Sequence, residues 1–445
     1  MIWNTNLSKG QSSPCIWQDH IFITGFEEEE KLLNMYCIDR ESGAIQWQKE
    51  NSVKEFEKVH VISSPANATP ATDGERVVFY FSSYGLLCYD LNGEKQWEMK
   101  IPIPKSRHGM GTSPVISGDL VIMNCFGHEN DPCLLAINKY NGEKVWKYSC
   151  PVEEGALVDR SSYSTPVIYK DQVIIYRSDD VSAYDLKSGD QVWRFLTGLG
   201  VGDTVCTPVI GNGIVYVTVF STIGNTEVRA QFPDFAGLVS KYDENLDRLI
   251  TLEELGVFEF NNAPEKGAEI SSLVKASKWA RYFDHNKDDY IDSTEWAAMI
   301  EYCESDYLKQ GIKAFRCGGE GDISFSNFIW GESDHVPHVT SPLFYNNRVY
   351  MVKSGGIVSC FRAEEGELLY SERIGTAGAY FASPVAVNGK ILFTSRTGVI
   401  TVVEAGDQMN ILSRNDLDEV ITATPAIIDN KLYIRTDNSL YAFGD

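Results

Sequence analysis

Eight prolines, each preceded by Ser or Thr, punctuate the chain at Pro14, Pro70, Pro114, Pro166, Pro208, Pro342, Pro384 and Pro425. The intervals between them are 56, 44, 52, 42, 134, 42 and 41 residues, so one interval carries a long insertion and the others repeat a unit. The copy from Ser164 to Trp193 displays that unit: STPVIYKDQVIIYRSDDVSAYDLKSGDQVW. A short apolar run follows the proline, and Lys170-Asp171 turns into a second run, Gln172 to Arg177. Val181 to Leu186 then makes a third strand, and Gln191 to Phe195 a fourth after the turn at Gly189. Four short strands closed by turn residues predict one antiparallel sheet per copy. Such units, repeated every 40 to 50 residues or so, predict a β-propeller whose sheets are blades around a channel.

The fourth strand carries a second mark, Gly followed four residues later by a large aromatic: Gly43/Trp47, Gly93/Trp97, Gly142/Trp146, Gly189/Trp193 and Gly366/Tyr370. Trp330 occupies the equivalent place after the insertion, and Leu412 replaces the aromatic in the seventh copy. These flat side chains are expected to form a ring between adjacent blades. The last copy, Ala423 to Asp445, stops after its third strand, whereas Ile2-Trp3-Asn4 reads as an outer strand without a blade. The expectation is an all-β, eight-bladed propeller closed by the N-terminal strand, which removes the exposed edges of an open array.

The insertion, 221–312, divides the propeller into 1–220 and 313–445, and here the pattern shifts to helical periodicity. Asp243 to Glu254 reads DENLDRLITLEE and Asp284 to Glu295 reads DHNKDDYIDSTE, starting 41 residues apart. Both fit the twelve-residue EF-hand loop, which supplies the six to eight or so oxygens that Ca²⁺ needs from positions 1, 3, 5, 7, 9 and 12. Loop one offers Asp243, Asn245, Asp247, the Leu249 carbonyl, Thr251 and Glu254. Loop two offers Asp284, Asn286, Asp288, the Tyr290 carbonyl, Asp292 and Glu295. Ile250 and Ile291 stand where paired loops bridge. Phe232 to Tyr242 and Leu273 to Phe283 are expected as entering helices, with Leu252 to Phe260 and Thr294 to Cys303 as exiting ones. Position 6, normally Gly, is Arg248 in one loop and Asp289 in the other; Asp tolerates a left-handed backbone better, so loop two is expected to bind more tightly.

The repeats, with outer-strand motifs such as YDLKSGDQVW, resemble the quinoprotein-type, pyrroloquinoline-quinone-binding-like β-propeller family over nearly the whole chain. The resemblance implies the propeller. That superfamily contains quinone-dependent dehydrogenases as well as non-catalytic members such as the outer-membrane assembly lipoprotein. The dehydrogenases use adjacent cysteines beside the cofactor, and this chain has no Cys-Cys pair. The quinone is therefore not implied, and two calcium ions are the expected cofactors. Relatives are usually exported, which points to the periplasm or cell envelope, although no signal peptide is visible in this chain.

Alternation of strands places the inter-blade loops and the insertion at one end of the channel. Those loops carry His60, Arg107, His108, Arg160, Asp203, His335 and His338, while His20 falls at the opposite end. Arg107, His108, Arg160 and His338 are candidates to converge on an anionic or sugar-like ligand. The favoured expectation is a non-catalytic, calcium-binding scaffold or ligand-binding propeller, with no catalytic residue assigned. The alternative is an enzyme, either a quinoprotein-like oxidoreductase or a hydrolase or lyase, working at the same funnel.

The net charge of −23 argues against nucleic acid and anionic membrane surfaces as partners. No apolar run reaches the length of a membrane span, and a monomer is expected. Among the ten cysteines, Cys37, Cys88 and Cys360 share one third-strand position in three blades and are expected as separate buried thiols. Cys125 and Cys133 flank the hairpin loop FGHENDP and are candidates for a bridge across it.

Overall fold

The computed structural model describes all residues except 104–108, 127–131, 150–161, 178, 198–203, 221–232, 256, 260–272, 276–283, 285, 305–309 and 445. The chain divides into two compact units, Met1–Phe220 with Gln310–Asp445, and Ser221–Lys309.

The first unit is an eight-bladed propeller of four-stranded antiparallel sheets. In the fourth blade the strands are Val167–Tyr169, Gln172–Tyr176, Asp180–Asp185 and Gln191–Leu196. The two middle strands read as continuous apolar runs because neighbouring blades cover both faces, so Val173, Ile174 and Ile175 are all fully buried. The outer strand alternates instead, as in Lys95–Lys100, where only Trp97 is buried. The eighth blade is completed by Trp3–Asn6, which pairs antiparallel with Ser439–Phe443 in the register Trp3 to Ala442. In blade 5 the chain leaves after Ile214–Val219 and re-enters as Gly311–Arg316, two residues before the expected boundary at 313. Val219 pairs with Gly311, at the end of the ring that also carries the inter-blade loops.

Five of the outer tryptophans dock on the glycine turn of the next blade. Trp47 Nε1 donates to Leu91 O at 2.9 Å, Trp97 to Lys139 O at 2.7 Å, Trp146 to Leu186 O at 3.0 Å, and Trp330 to Ala363 O at 2.9 Å. Trp3 reaches Arg40 O at 3.1 Å and so closes the circle from blade 8 to blade 1. The glycine is required on two counts: Gly142 has φ +75°, and a Cβ there would lie 2.9 Å from the Trp97 ring. Opposite each tryptophan stands a small residue, Cys37, Cys88, Ala136, Ala183, Ala314 or Ala442, which lets the indole lie over the strand.

The exceptions obey the same rule. Trp193 faces blade 5, whose third strand is followed by Gly321–Asp322 and the short helix Ser324–Asn327. Gly321–Asp322 pairs parallel with the edge of blade 4, and Trp193 turns its Nε1 to Gln172 Oε1 at 3.1 Å. Blade 8 has no turn between its third and fourth strands, because those strands come from opposite ends of the chain. Blade 7 therefore needs no docking aromatic: the strand register puts Ser413, opposite Val402, at the docking position, and Leu412, expected there from the sequence, falls in the bulge beside it.

The Ser/Thr-Pro step also acquires a reason. The residue before proline is held extended, and its N–H donates to the hydroxyl of the matching Ser or Thr in the next blade. Links of 2.9–3.2 Å run from Ser13 to Thr69, Ser113 and Thr165, and from Thr207 to Ser341, Ser383, Thr424 and back to Ser13. All point the same way around the ring.

Cys37, Cys88 and Cys360 are buried thiols, each in a different blade, and burial pushes all three up to about 12. Cys125 and Cys133 are buried thiols that stand directly opposite, with Cys125 N–H donating to Cys133 O at 2.8 Å.

In the second unit, the helix Phe235–Tyr242 begins at the cap Asp234, whose side chain accepts from Gly237 N–H at 2.8 Å, three residues later than the expected start at Phe232. Ser293–Glu304 is the helix expected after the second loop. The two other expected helices are corrected. Leu252 to Leu255 form a turn, and Val257–Glu259 is a strand paired antiparallel with Leu273–Lys275. Gly at 256 weakens a helix there, and Val257-Phe258 and Leu273-Val274 favour extended chain. The remainder of 273–283 expected as a helix lies outside the described residues.

Candidate functional site

Two groups of residues merit description, one in each unit. In the second unit, the two acidic loops adopt matching conformations. Positions 4 and 6 are left-handed in both: Leu246 and Arg248 at φ 64° and 66°, Lys287 and Asp289 at 59° and 63°. Asp243 accepts from Asp247 N–H at 3.2 Å and Arg248 N–H at 2.8 Å; Asp284 accepts from Asp288 N–H at 3.1 Å and Asp289 N–H at 3.0 Å. Asn245 and Asn286 accept from the same N–H groups of Asp247 and Asp288, and those aspartates accept from Leu249 and Tyr290 N–H. Glu254 reaches back to Thr251 N–H at 2.9 Å, and Glu295 to Asp292 N–H at 3.1 Å. Asp292 in turn caps its helix through Thr294 and Glu295 N–H.

The loops are joined through Ile291 N–H to Ile250 O at 2.8 Å, with both isoleucines buried and Thr251 bridged to Tyr290. Leu238, Leu252, Leu255, Trp296 and Met299 are also buried in this unit. Trp296 Nε1 donates to Pro233 O at 2.9 Å.

A divalent cation requires six or more oxygens, several of them from carbonyl and amide groups. The residue types and the two left-handed turns fit that need position for position. Among the described residues, however, no three His, Cys, Asp or Glu side chains gather as a metal-holding group. Asp284 and Glu295 are buried, whereas Asp243 and Glu254 are half-buried, so the second loop is the more enclosed.

In the first unit, the inter-blade connections gather at one end of the ring. His60 is exposed and forms a turn with Ser63. His335, at φ 64°, points back into blade 6, with its Nδ1 3.2 Å from Ser371 Oγ. His338 stacks on Phe220 at 4.2 Å between ring centroids. Arg107, His108, Arg160 and Asp203 lie outside the described residues. His335 and His338 thus have separate engagements and are not brought onto one point.

Two features of this end went unread in the sequence. Glu57, 7% exposed, accepts a hydrogen bond from Ser82 Oγ, while its Oε2 has no partner among the described residues. Burial pushes its carboxyl up to about 8, against the lowering effect of the Met110 N–H. The second feature is Arg435. Counting from the strand pairings, the same second-strand position holds Thr24, Tyr80, Asn124, Tyr176, Thr218, Val352 and Thr394 in blades 1 to 7. Only blade 8 places a cation there. Aligning the copies would have revealed it, since KLYIR ends in Arg where the other copies carry a neutral residue.

Closure, blade number and the docking ring define an eight-bladed propeller of the quinoprotein type. The family described as outer membrane protein assembly factor BamB matches residues 1–123 and 104–231, which together run over more than half of the chain. The chain belongs to that family. Among solved structures, BamB from Moraxella catarrhalis aligns over 100% of this chain and 98% of its own, at TM-score 0.56 and 16% identity. A europium-containing methanol dehydrogenase aligns over 100% and 92%, at TM-score 0.59 and 11% identity. The computationally designed protein Ika8 aligns over 99% and 98%, at TM-score 0.56 and 10% identity. At these identities the likeness is one of fold. No curated protein matches the sequence. Among the described residues, no helix is long and apolar enough to cross a membrane.

Proposed function

We propose that the chain is a calcium-binding, non-catalytic propeller of the cell envelope, serving as a scaffold for a protein partner or a small ligand. The observation that carries the calcium reading is the position-for-position agreement of the two loops: left-handed residues 4 and 6, and the Ile250–Ile291 bridge between them. The residues that would hold the ions are the twelve named from the sequence, Asp243 to Glu254 and Asp284 to Glu295 at loop positions 1, 3, 5, 7, 9 and 12. A bound Ca²⁺ would neutralise carboxylates that otherwise repel one another. The scaffold reading is supported by the family's own description as an assembly factor, and envelope location follows from the same support.

Catalysis at the funnel is the second reading, favoured by one observation, the buried carboxyl of Glu57. A quinone is not proposed, since the chain lacks the adjacent cysteines of the dehydrogenases it resembles.

The test is a calorimetric titration of calcium into the metal-stripped chain, repeated with Asp243→Ala and Asp284→Ala. Two sites are expected, each abolished by its own substitution. Absence of binding heat, with unmetallated mass in every variant, would refute the calcium reading. A purified chain that reduces an artificial electron acceptor in the presence of a substrate would overturn the non-catalytic one.

A further inference from the structure

Arg435 is fully buried, and only one of its nitrogens is well engaged: Nη2 donates to Ser8 O at 2.5 Å and more weakly to Asp437 O at 3.3 Å. Its Nε and Nη1 have no partner among the described residues. A guanidinium out of water without a counter-charge is costly, and the seven other blades avoid that cost with a neutral residue at this position. Asp437 and Glu419 act on it through their charge, but no carboxylate oxygen is hydrogen-bonded to it among the described residues, and Asp437 Oδ1 itself has no partner there.

The backbone places further cations beside it. Asp437 N–H donates to Val420 O at 3.0 Å, Ile421 N–H to Arg396 O at 3.3 Å, and Gly10 N–H to Asp437 O at 3.0 Å. These bonds knit the loops of blades 7 and 8 to the connection entering blade 1, and the Asp437 carboxyl feels Lys9, Arg396 and Arg435 together. Arg396 is half-buried with an unpartnered Nε, and Lys9 is exposed. Glu419 nearby is engaged by the Tyr441 hydroxyl. In a chain of net charge −23, three cations thus act on one carboxyl, and Arg435 and Arg396, the latter lying over the Phe381 ring, keep N–H groups without a partner among the described residues.

We propose that this end of the ring, between blades 7, 8 and 1, binds a small oxyanion, with Arg435 beneath it and Arg396 and Lys9 at its opening. Hydrogen bonds from charged donors to an anion are among the stronger ones in proteins, and an oxyanion supplies the acceptors that the protein lacks here. The inference rests on the reading of this face as a ligand-binding one and is independent of calcium.

The experiment is calorimetric titration of sulfate, succinate and triglutamate into the full chain, with potassium chloride at matched ionic strength as the control. Binding above the control is expected for at least one probe. A preference for sulfate indicates a phosphate-like ligand, for succinate a free carboxylic acid, and for triglutamate an acidic segment of a partner. Arg396→Gln should weaken binding about tenfold or more, and Asp437→Asn should tighten it severalfold. Arg435→Thr, the residue type of blades 1, 5 and 7, should abolish binding; if that variant does not fold, the other two decide. No heat above the chloride control, or unchanged affinity in both Arg396→Gln and Asp437→Asn, overturns the proposal. Failure here with two intact calcium sites removes this site alone.

Discussion

Glu57 should make the stability of the propeller fall as pH rises, and Glu57→Gln should remove that fall. The carboxyl is held at about 8 in the folded chain against an ordinary value of 4.5, chiefly by burial. Below pH 4.5 or so both folded and unfolded forms are protonated, and the group carries no pH-dependent cost. Between about 4.5 and 8 the unfolded chain ionises freely while the folded one resists, so stability declines by about 1.4 kcal/mol per pH unit. The accumulated loss approaches about 3 to 5 kcal/mol by pH 9, a large share of the stability of a typical domain. Glutamine keeps an acceptor for Ser82 and Met110. Its amide leaves N–H donors in place of Oε2, at a pH-independent cost of about 1 to 3 kcal/mol. The variant should therefore be similar to or weaker than the parent at pH 5 and more stable at pH 9. Urea unfolding from pH 5 to 9, with calcium in constant excess, measures the difference between the two. A difference constant within about 0.5 kcal/mol across that range would refute the reasoning.

The other expectations concern the docking ring and the inserted unit. Gly142→Ala should cost about 2 to 3 kcal/mol in chemical unfolding, since a left-handed alanine is strained and its Cβ would press on Trp97; an unchanged midpoint would sink this. Trp97→Ala should cost about 3 to 5 kcal/mol by the same measurement, through the lost indole packing and its bond to Lys139 O. Stripping calcium should loosen the inserted unit while the blades keep their amide protection in hydrogen exchange, and equal loss in both would contradict it. Arg248→Gly should then tighten calcium binding at loop one by about five- to thirtyfold, because the metal no longer has to impose a left-handed arginine worth about 1 to 2 kcal/mol. Unchanged affinity in calorimetry would show that the strain is already present without metal.

The propeller was legible because its determinants are local and repeated. A proline, a hydroxyl before it and a Gly-x-x-x-aromatic turn recur in register, and each has a single-residue cause. The eighth blade was legible from its two incomplete halves, Ile2-Trp3-Asn4 and LYAFGD. Even the missing aromatic of blade 7 has a sequence cause, namely the absent turn of blade 8, but its position was misjudged by one residue, Leu412 for Ser413, because the bulge shows only in the pairing. The loops of the insertion were legible as twelve-residue strings, whereas Val257–Glu259 was not, because a three-residue strand depends on a partner far along the chain. The funnel was least legible. Glu57 meets Ser82 and Met110, and Arg435 meets Ser8, only after several blades have been set side by side.

The closing strand also sets a schedule. Asn6 meets Ser439 across 433 residues of chain, so Trp3–Asn6 is made well before the strand it pairs with, Ser439–Phe443. At ordinary rates of synthesis, about 5 to 20 residues per second, that strand waits roughly 20 to 90 seconds with its backbone unclaimed. In the finished ring Trp3–Asn6 covers the edge of Ser439–Phe443, so a substitution that weakens this one pairing reopens a strand edge of the kind that pairs with a neighbouring copy.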